Sequence, residues 1–239
     1  GFRSTWFEGF DFKANVSNGF ALPGGSIRYN RDANVDPSEV WQYEAGVEYD
    51  YKNLVKVNLT GFILETSKEV NETILGSGVF VNSGKTQRHG LELGIRAQPV
   101  RRLNFNGSFA YIRTEIKKNV DEALVGKELN NIPRTVTNLM LDYTLESGLG
   151  ARVNYRNVGK YATGLENFFY YNGYSRTDAT LFFNFAGTSS KRGQLFVEFN
   201  NIFNENYATY VFDNGGPNDG QSYSASALRS FSVGVSYNF

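Results

Sequence analysis

The sequence contains no cysteine and a single histidine, His89. Without cysteine, neither a disulfide framework nor a cysteine zinc site can form, and one imidazole cannot supply metal sites that need several. A serine or cysteine triad also needs a histidine partner, and His89 lies in a predicted strand just before Gly90, with no nucleophile motif nearby. We therefore predict no catalytic residue, no metal site and no cofactor, and we expect that the protein is not an enzyme.

Net charge is also lacking, because Lys and Arg together number 24 and Asp and Glu together number 24. Nucleic-acid-binding proteins usually carry a basic stripe or patch, and none is visible along the chain. The balance therefore gives no reason to expect a nucleic-acid partner.

Long apolar runs are absent too. No stretch of 18 apolar residues occurs, so the sequence predicts no transmembrane helix. This absence does not exclude a membrane, because the wall of a β-barrel needs only every second residue to be apolar. Residues 1–4 do not begin a signal peptide, and we expect a mature or partial chain.

Aromatic residues and glycine are abundant, with 20 Phe, 15 Tyr and 25 Gly. Phe and Tyr favour strands, whereas Gly marks turns. Apolar and polar residues alternate strictly in many windows, as in Trp41 to Tyr51, where Tyr43, Val47 and Tyr49 oppose charged Glu44 and Glu48. This period of two is typical of strands and fits no helix.

The alternation predicts about ten strands in one domain, with boundaries uncertain by about 2–4 residues. They span residues 5–17, 39–51, 54–68, 79–98, 103–116, 134–145, 149–161, 174–185, 193–203 and 228–239. Short and long connections alternate between them. Transmembrane barrels have short turns at the periplasmic end and long loops outside, so we predict an all-β, antiparallel, transmembrane barrel with polar side chains such as Glu92 and Arg96 inside.

The last predicted strand resembles the C-terminal strand of bacterial outer-membrane proteins, which the barrel-assembly machinery reads as an insertion signal. It places apolar side chains at every second position up to the end of the chain. These residues are Phe231, Val233, Val235, Tyr237 and Phe239. The strand favours a bacterial outer-membrane barrel over a soluble β-protein.

Further motifs resemble the barrel of TonB-dependent receptors, in the order in which that family has them. They are Asn18-Gly19-Phe20 with Pro23, Asn34 to Val47, Phe80 to Leu93, Ile132-Pro133-Arg134, and Asn200 to Tyr207. The second departs from the family pattern, since Ser38 separates Pro37 from Glu39. The motifs extend over most of the chain, and the resemblance is specific because of their order.

The resemblance implies that residues 1–239 are the C-terminal portion of a barrel of about 22 strands, whose plug domain and TonB box would precede Gly1. It also implies an outer-membrane receptor of a Gram-negative bacterium that imports a scarce nutrient, most plausibly a ferric siderophore, energised through the TonB complex. Haem, cobalamin and oligosaccharide receptors share such a wall. The alternative from the residues is a complete ten-stranded barrel that acts as an enzyme or an adhesin.

Candidate ligand contacts lie in the long connections, because loops carry recognition on a rigid barrel. Arginine and tyrosine suit anionic, aromatic chelates through charge and stacking. The candidates are Arg28, Tyr29, Arg31, Phe168, Tyr170, Tyr171, Tyr207, Tyr210, Phe212 and Tyr223. The competing interpretation is that these aromatic residues form the interfacial girdle of the barrel.

Overall fold

A computed structural model describes residues 1–22, 35–72, 80–186, 192–214 and 216–238. Arg28, Tyr29, Arg31 and Phe239 lie outside these described residues. Within them, no helix is long and apolar enough to cross a bilayer. A single 3-10 turn, Glu122–Leu124, is capped by the Asp121 carboxylate, which accepts a hydrogen bond from the Ala123 N–H.

Antiparallel strands make up nearly all of the described structure. They are β1 (Phe2–Phe7), β2 (Phe10–Ala21), β3 (Ser38–Tyr51), β4 (Val55–Glu72), β5 (Phe80–Val100), β6 (Leu103–Lys118), β7 (Thr135–Thr144), β8 (Leu149–Val158), β9 (Tyr161–Ala162), β10 (Tyr170–Tyr171), β11 (Tyr174–Ala186), β12 (Arg192–Asn200), β13 (Ala208–Asp213), β14 (Gln221–Ala225) and β15 (Ser230–Asn238).

One large sheet has the order β1-β2-β3-β4-β5-β6-β7-β8-β11-β12-β15, and each strand pairs antiparallel with the next. The pairs β9/β10 and β13/β14 form separate hairpins inside the two connections that follow β8 and β12. Such a meander puts successive connections at opposite ends of the sheet. The prediction of short turns at one end and long loops at the other is therefore confirmed.

The prediction of one strand over residues 5–17 is wrong, because the chain turns at Gly9 and forms β1 and β2. Gly9 adopts a left-handed φ of +79°, and its carbonyl accepts a hydrogen bond from the Asp50 N–H at 2.8 Å. The turn contains only Glu8 and Gly9 and has apolar residues, Phe7 and Phe10, directly on both sides, so no polar loop separates the two strands in the sequence. The described sheet thus has eleven strands, one more than the alternation predicted.

One face of the sheet exposes apolar side chains in continuous rows. Leu91 is 51% exposed, Leu181 is 53% exposed and Val233 is 71% exposed. A soluble protein rarely leaves a contiguous apolar patch of this kind uncovered, whereas the outer wall of a barrel in lipid requires one. This face is therefore the surface that suits contact with lipid.

The opposite face is polar and pairs its charges across strands. Lys56 contacts Asp50 at 2.8 Å, Arg152 contacts Asp142 at 3.0 Å, and Lys13 pairs with Glu48. Aromatic side chains on this face lie over glycines of the neighbouring strand, as Phe182 lies over Gly150. Such a pair covers the strand backbone where glycine has no side chain.

The small apolar core lies mainly outside the large sheet. Only eight apolar side chains of the described residues are buried. Five of them belong to the connections that carry the two hairpins: Tyr161, Ala162, Tyr207, Ala208 and Val211. Buried apolar side chains therefore lie mainly in the long connections, at one end of the sheet.

Candidate ligand-binding surface

The two hairpins pack against each other through tyrosines. Tyr171 lies between Tyr161, with ring centroids 5.5 Å apart, and Tyr223, with ring centroids 6.4 Å apart. The Tyr171 hydroxyl also accepts a hydrogen bond from the Ala208 N–H at 3.0 Å. Gln221 donates to the buried Thr163 hydroxyl at 2.8 Å and joins β14 to the segment after β9. These contacts make one packed layer from two connections.

A second set of contacts fixes this layer to the sheet. Tyr174, at the start of β11, stacks on Tyr207 with ring centroids 4.1 Å apart and an interplanar angle of 17°. Arg176 donates to the Tyr207 hydroxyl at 3.3 Å and to the Asp178 carboxylate at 2.8 Å. Because charge-assisted hydrogen bonds are strong and directional, Arg176 holds the Tyr207 ring in a defined position.

Asn201 forms the turn that leads from β12 into the hairpin layer. It is 2% exposed and has a left-handed φ of 53°. Its amide nitrogen donates to the Glu205 carbonyl and its amide oxygen accepts from the Glu205 N–H, both at 2.8 Å. Its own N–H donates to Asp178 at 2.8 Å. This geometry gives a structural role to the motif at residues 200–207.

Asn82 has a similar structural role in the motif at residues 80–93, because its side chain binds backbone groups of other segments. Its side chain accepts a hydrogen bond from the Asp36 N–H at 2.7 Å and donates to the Asp36 carbonyl at 2.8 Å. It also donates to the Lys68 carbonyl at 2.7 Å. The side chain therefore connects the end of the first long connection to β4 and β5.

A cationic aromatic group lies beside the hairpin layer. Lys160 Nζ is 4.5 Å from the centroid of the Tyr170 ring, and the Arg134 guanidinium is 5.4 Å from the same centroid. Arg134 is bound to both carboxylate oxygens of Glu128, at 2.7 and 3.1 Å. We call Arg134, Lys160 and Tyr170 the cationic group. The sequence prediction included Tyr170 but missed both cations, which strand pairing brings together.

The predicted ligand contacts differ in how accessible they are. Tyr207 is buried and Tyr171 is half-buried, because both pack within the hairpin layer. Phe168, Tyr210 and Tyr223 are 49%, 50% and 58% exposed. The backbone of Phe212 lies in β13, and nothing further is described for its side chain. A role in ligand contact stays a prediction for all of them.

Burial changes the acid–base behaviour of one hydroxyl in this layer. Removal from water, and then the neighbouring Tyr171, Tyr174 and Tyr210, raise the pKa of Tyr161 to about 12. An uncharged phenol is favoured in such surroundings because burial penalises the charged form. Tyr161 therefore serves as a packed, neutral side chain at physiological pH.

The polar face of the sheet contains a cavity of about 530 Å³. Among the side chains that line it are Arg96, Arg156, Asn106 and Asn154. Neither arginine makes an ion pair with a carboxylate of the described residues, whereas neighbouring Arg176 is paired with Asp178. This wall therefore presents unneutralised positive charge. In the part of the chain that the structure describes, no cluster of three or more His, Cys, Asp or Glu side chains could hold a metal ion.

The four described residues of the predicted insertion signal lie on a single side of β15. Phe231, Val233 and Val235 are each at least 66% exposed, and Tyr237 is 37% exposed. In the described sheet β15 pairs only with β12, and β1 only with β2. Both outer strands therefore offer an edge at which a further strand could pair.

An antiparallel meander with an apolar outer face and long connections at one end defines the wall of an outer-membrane β-barrel. Residues 2–202 match the family described as TonB dependent receptor-like, beta-barrel. The chain belongs to this family, whose members are transporters in the outer membrane of Gram-negative bacteria and not enzymes. This finding confirms the family resemblance and the expected fold, and it disfavours the alternative of a small barrel enzyme.

Individual curated proteins also match the sequence of this chain. The chain is 24% identical over 192 residues to the "Probable TonB-dependent siderophore receptor PiuA" of Acinetobacter baumannii, covering 74% of this chain and 25% of that protein. It is 28% identical over 209 residues to the "Metal-pseudopaline receptor CntO" of Pseudomonas aeruginosa, covering 84% of this chain and 28% of that protein. The chain thus spans about a quarter of the length of these curated relatives.

Among solved structures, the ferric preacinetobactin receptor BauA of Acinetobacter baumannii superposes with a TM-score of 0.78 at 18% identity. The match covers 99% of this chain and 35% of that one. At this identity the likeness shows the fold alone. The matched part is about a third of that receptor chain.

Proposed function

We propose that this chain is the C-terminal portion of the barrel of a receptor that imports an anionic metal chelate, a ferric siderophore, with energy supplied through TonB. The names of the curated relatives support a siderophore or a related metal chelate as the imported ligand. The observation that carries the proposal is the cationic group, in which Lys160 and Arg134 lie within 5.4 Å of the Tyr170 ring centroid.

Charge and aromaticity together suit such a ligand. Lys160 is exposed and makes no ion pair with a described residue, so its charge is available to an anionic group. Glu128 orients the Arg134 side chain through two hydrogen bonds. The exposed Phe168, Tyr210 and Tyr223 would widen the contact surface.

The ligand would then leave the loops along the polar face of the sheet. Arg96 and Arg156 place positive charge on that route, in the cavity of about 530 Å³. The moving part of the import step and the contact with TonB would belong to a region outside this sequence. The exposed row of β15 would be read by the barrel-assembly machinery during insertion.

The test is equilibrium binding to the full-length protein of two ferric complexes of similar size, an anionic tris-catecholate and a neutral trihydroxamate. Lys160→Gln should weaken binding of the anionic complex about tenfold, as expected for one charge-assisted contact, and leave the neutral complex unchanged. Lys52→Gln is the matched control, because Lys52 also lies over a tyrosine, Tyr51, but in a short turn at the opposite end. Equal loss for both complexes, or equal loss in the control, would contradict the proposal.

A further inference from the structure

The apolar face of the sheet contains a groove of about 640 Å³. Its floor is the row Ala14, Ala45 and Gly61, which are paired across β2, β3 and β4. Larger side chains border it, among them Ile63, which is 43% exposed, and Leu91, which is 51% exposed. The groove is therefore a depression in the wall that faces lipid, with small residues below and branched residues at its rim.

The fold does not require a glycine in the floor of this groove. A Cβ atom added to Gly61 would lie 3.5 Å from the nearest atom of Leu91 and 3.9 Å from the Ala45 carbonyl oxygen, which are ordinary contact distances. No left-handed φ is recorded for Gly61 either. Steric crowding therefore does not require a glycine at position 61, and the depression is open space at the surface of the wall. In a bilayer, such a space can be filled by an acyl chain.

Polar donors lie next to the groove, on the side of the long connections. His89 and Arg113 are direct partners across β5 and β6, one row beyond the row of Gly61 and Leu91. Both side chains point to the apolar face, since they share the strand parity of Leu91 and Tyr111. The next row toward the long connections is polar and contains Glu65, Gln87 and Glu115. His89 and Arg113 therefore lie at the border between the apolar wall and the polar row that would face the outer membrane–water interface.

The carboxylates near this border are already neutralised by other cations. Glu115 pairs with Lys117 at 2.7 Å and Glu65 with Lys85 at 3.6 Å. Glu128 is bound through both oxygens to Arg134, and it contacts Arg113 only at 3.4 Å. Arg113, whose side chain is 42% exposed, also donates from Nε to the Tyr111 hydroxyl at 2.6 Å. Because Arg113 and Arg134 share the single carboxylate of Glu128, this group of three side chains retains one positive charge at the interface.

We propose that the groove binds one acyl chain of an outer-leaflet lipid whose anionic phosphate is held by Arg113 and His89. The guanidinium supplies charge and the N–H donors that Tyr111 and Glu128 leave unused, and the imidazole supplies one more donor. The groove supplies apolar contact for the chain. The positive charge at the border favours an anionic lipid over a neutral lipid. The apolar groove beside it favours a molecule with an acyl chain over free phosphate.

The test is native mass spectrometry of the delipidated full-length protein in detergent, with dioleoyl phosphatidylglycerol and dioleoyl phosphatidylcholine as probes. We expect about tenfold preference for the anionic lipid, as one charge-assisted contact would give. Arg113→Gln should abolish the preference while the neutral lipid still binds. Gly61→Leu should fill the groove and reduce binding of both lipids. Arg156→Gln is the matched control and should change binding of neither lipid, because Arg156 lies on the polar face and makes no ion pair with a described residue.

Equal retention of the two lipids by the wild-type protein would overturn the proposal. The same holds if Arg113→Gln and Arg156→Gln have equal effects, or if inorganic phosphate displaces the lipid. Folding of each variant is checked by heat-modifiable gel mobility. His89→Gln, which keeps a donor but changes its position, offers a second and milder reduction of the preference should Arg113→Gln fail to fold.

Discussion

Tyr174 and Tyr207 stack face to face with ring centroids 4.1 Å apart, although one begins β11 and the other precedes β13. The contact joins the large sheet to the connection that carries the hairpin β13/β14. Since Arg176 also bonds the Tyr207 hydroxyl, this buried side chain is the link between the hairpin layer and the start of β11.

Replacing Tyr207 by alanine should therefore release the hairpin from the sheet. Loss of a buried aromatic side chain costs about 3 kcal/mol or more, and this cost should appear locally. Hydrogen exchange of residues 208–225 in the folded protein should become faster, while exchange in β3 to β6 stays the same. Tyr207→Phe keeps the stacking and loses only the hydrogen bond, so it should show a smaller effect of about 1 kcal/mol. Equal exchange in both variants would argue against stacking as the main contact.

The alternating pattern was sufficient to predict most of the large sheet, because each strand has one apolar and one polar face. It failed at Gly9, where the turn contains only Glu8 and Gly9 and apolar residues, Phe7 and Phe10, lie directly on both sides of it. The hairpins were missed for a different reason. β9 and β10 contain two residues each, and their stability comes from tyrosine contacts between distant segments, which no local pattern contains.

The candidate site was predictable only in part. Aromatic clusters in the long connections predicted Tyr170 and Tyr223 as ligand contacts, and the structure places both at the end of the sheet that carries these connections. Lys160 and Arg134 were missed as a group because each stands at the edge of a different connection, and only strand pairing places both beside Tyr170. Burial of Tyr207 could not be foreseen either, since exposure depends on how the two hairpins pack.

Substitution of Gly9 by alanine should destabilise the turn between β1 and β2. A left-handed φ of +79° disfavours any side chain, at a cost of about 1 kcal/mol, and the added Cβ would approach the Asp50 carbonyl oxygen to 2.7 Å. Gly19→Ala is the matched control, because nothing lies within 4 Å of a Cβ at that position. Urea unfolding of the full-length protein should give a lower midpoint for Gly9→Ala alone. Matching midpoints would show that the turn relaxes without cost.

Asn201→Ala should loosen the segment that follows β12. It leaves both backbone groups of Glu205 without their partner, which costs about 2 kcal/mol in total, and it places alanine at a left-handed φ, which adds about 1 kcal/mol. Asn201→Gly keeps the first cost and removes the second. Proteolysis between residues 201 and 207 should therefore be fastest for alanine and intermediate for glycine. Equal rates for the two variants would mean that the left-handed backbone conformation contributes nothing at this position.

The raised pKa of Tyr161 predicts a loss of stability in alkaline solution. Below the usual tyrosine pKa of 10.0 the phenol is neutral whether the hairpin layer is folded or not, and burial is not penalised. As the pH rises from 10 toward the folded-state pKa of about 12, the Tyr161 hydroxyl loses its proton in the unfolded state before it does so in the folded state. The folded layer is therefore progressively destabilised. Near-ultraviolet circular dichroism of the full-length protein should show the tyrosine signal collapsing in this window. Tyr161→Phe should retain more of that signal at pH 11 than the wild type. Tyr223→Phe, which removes an exposed hydroxyl, should behave like the wild type; equal losses in all three proteins would show that Tyr161 does not control the transition.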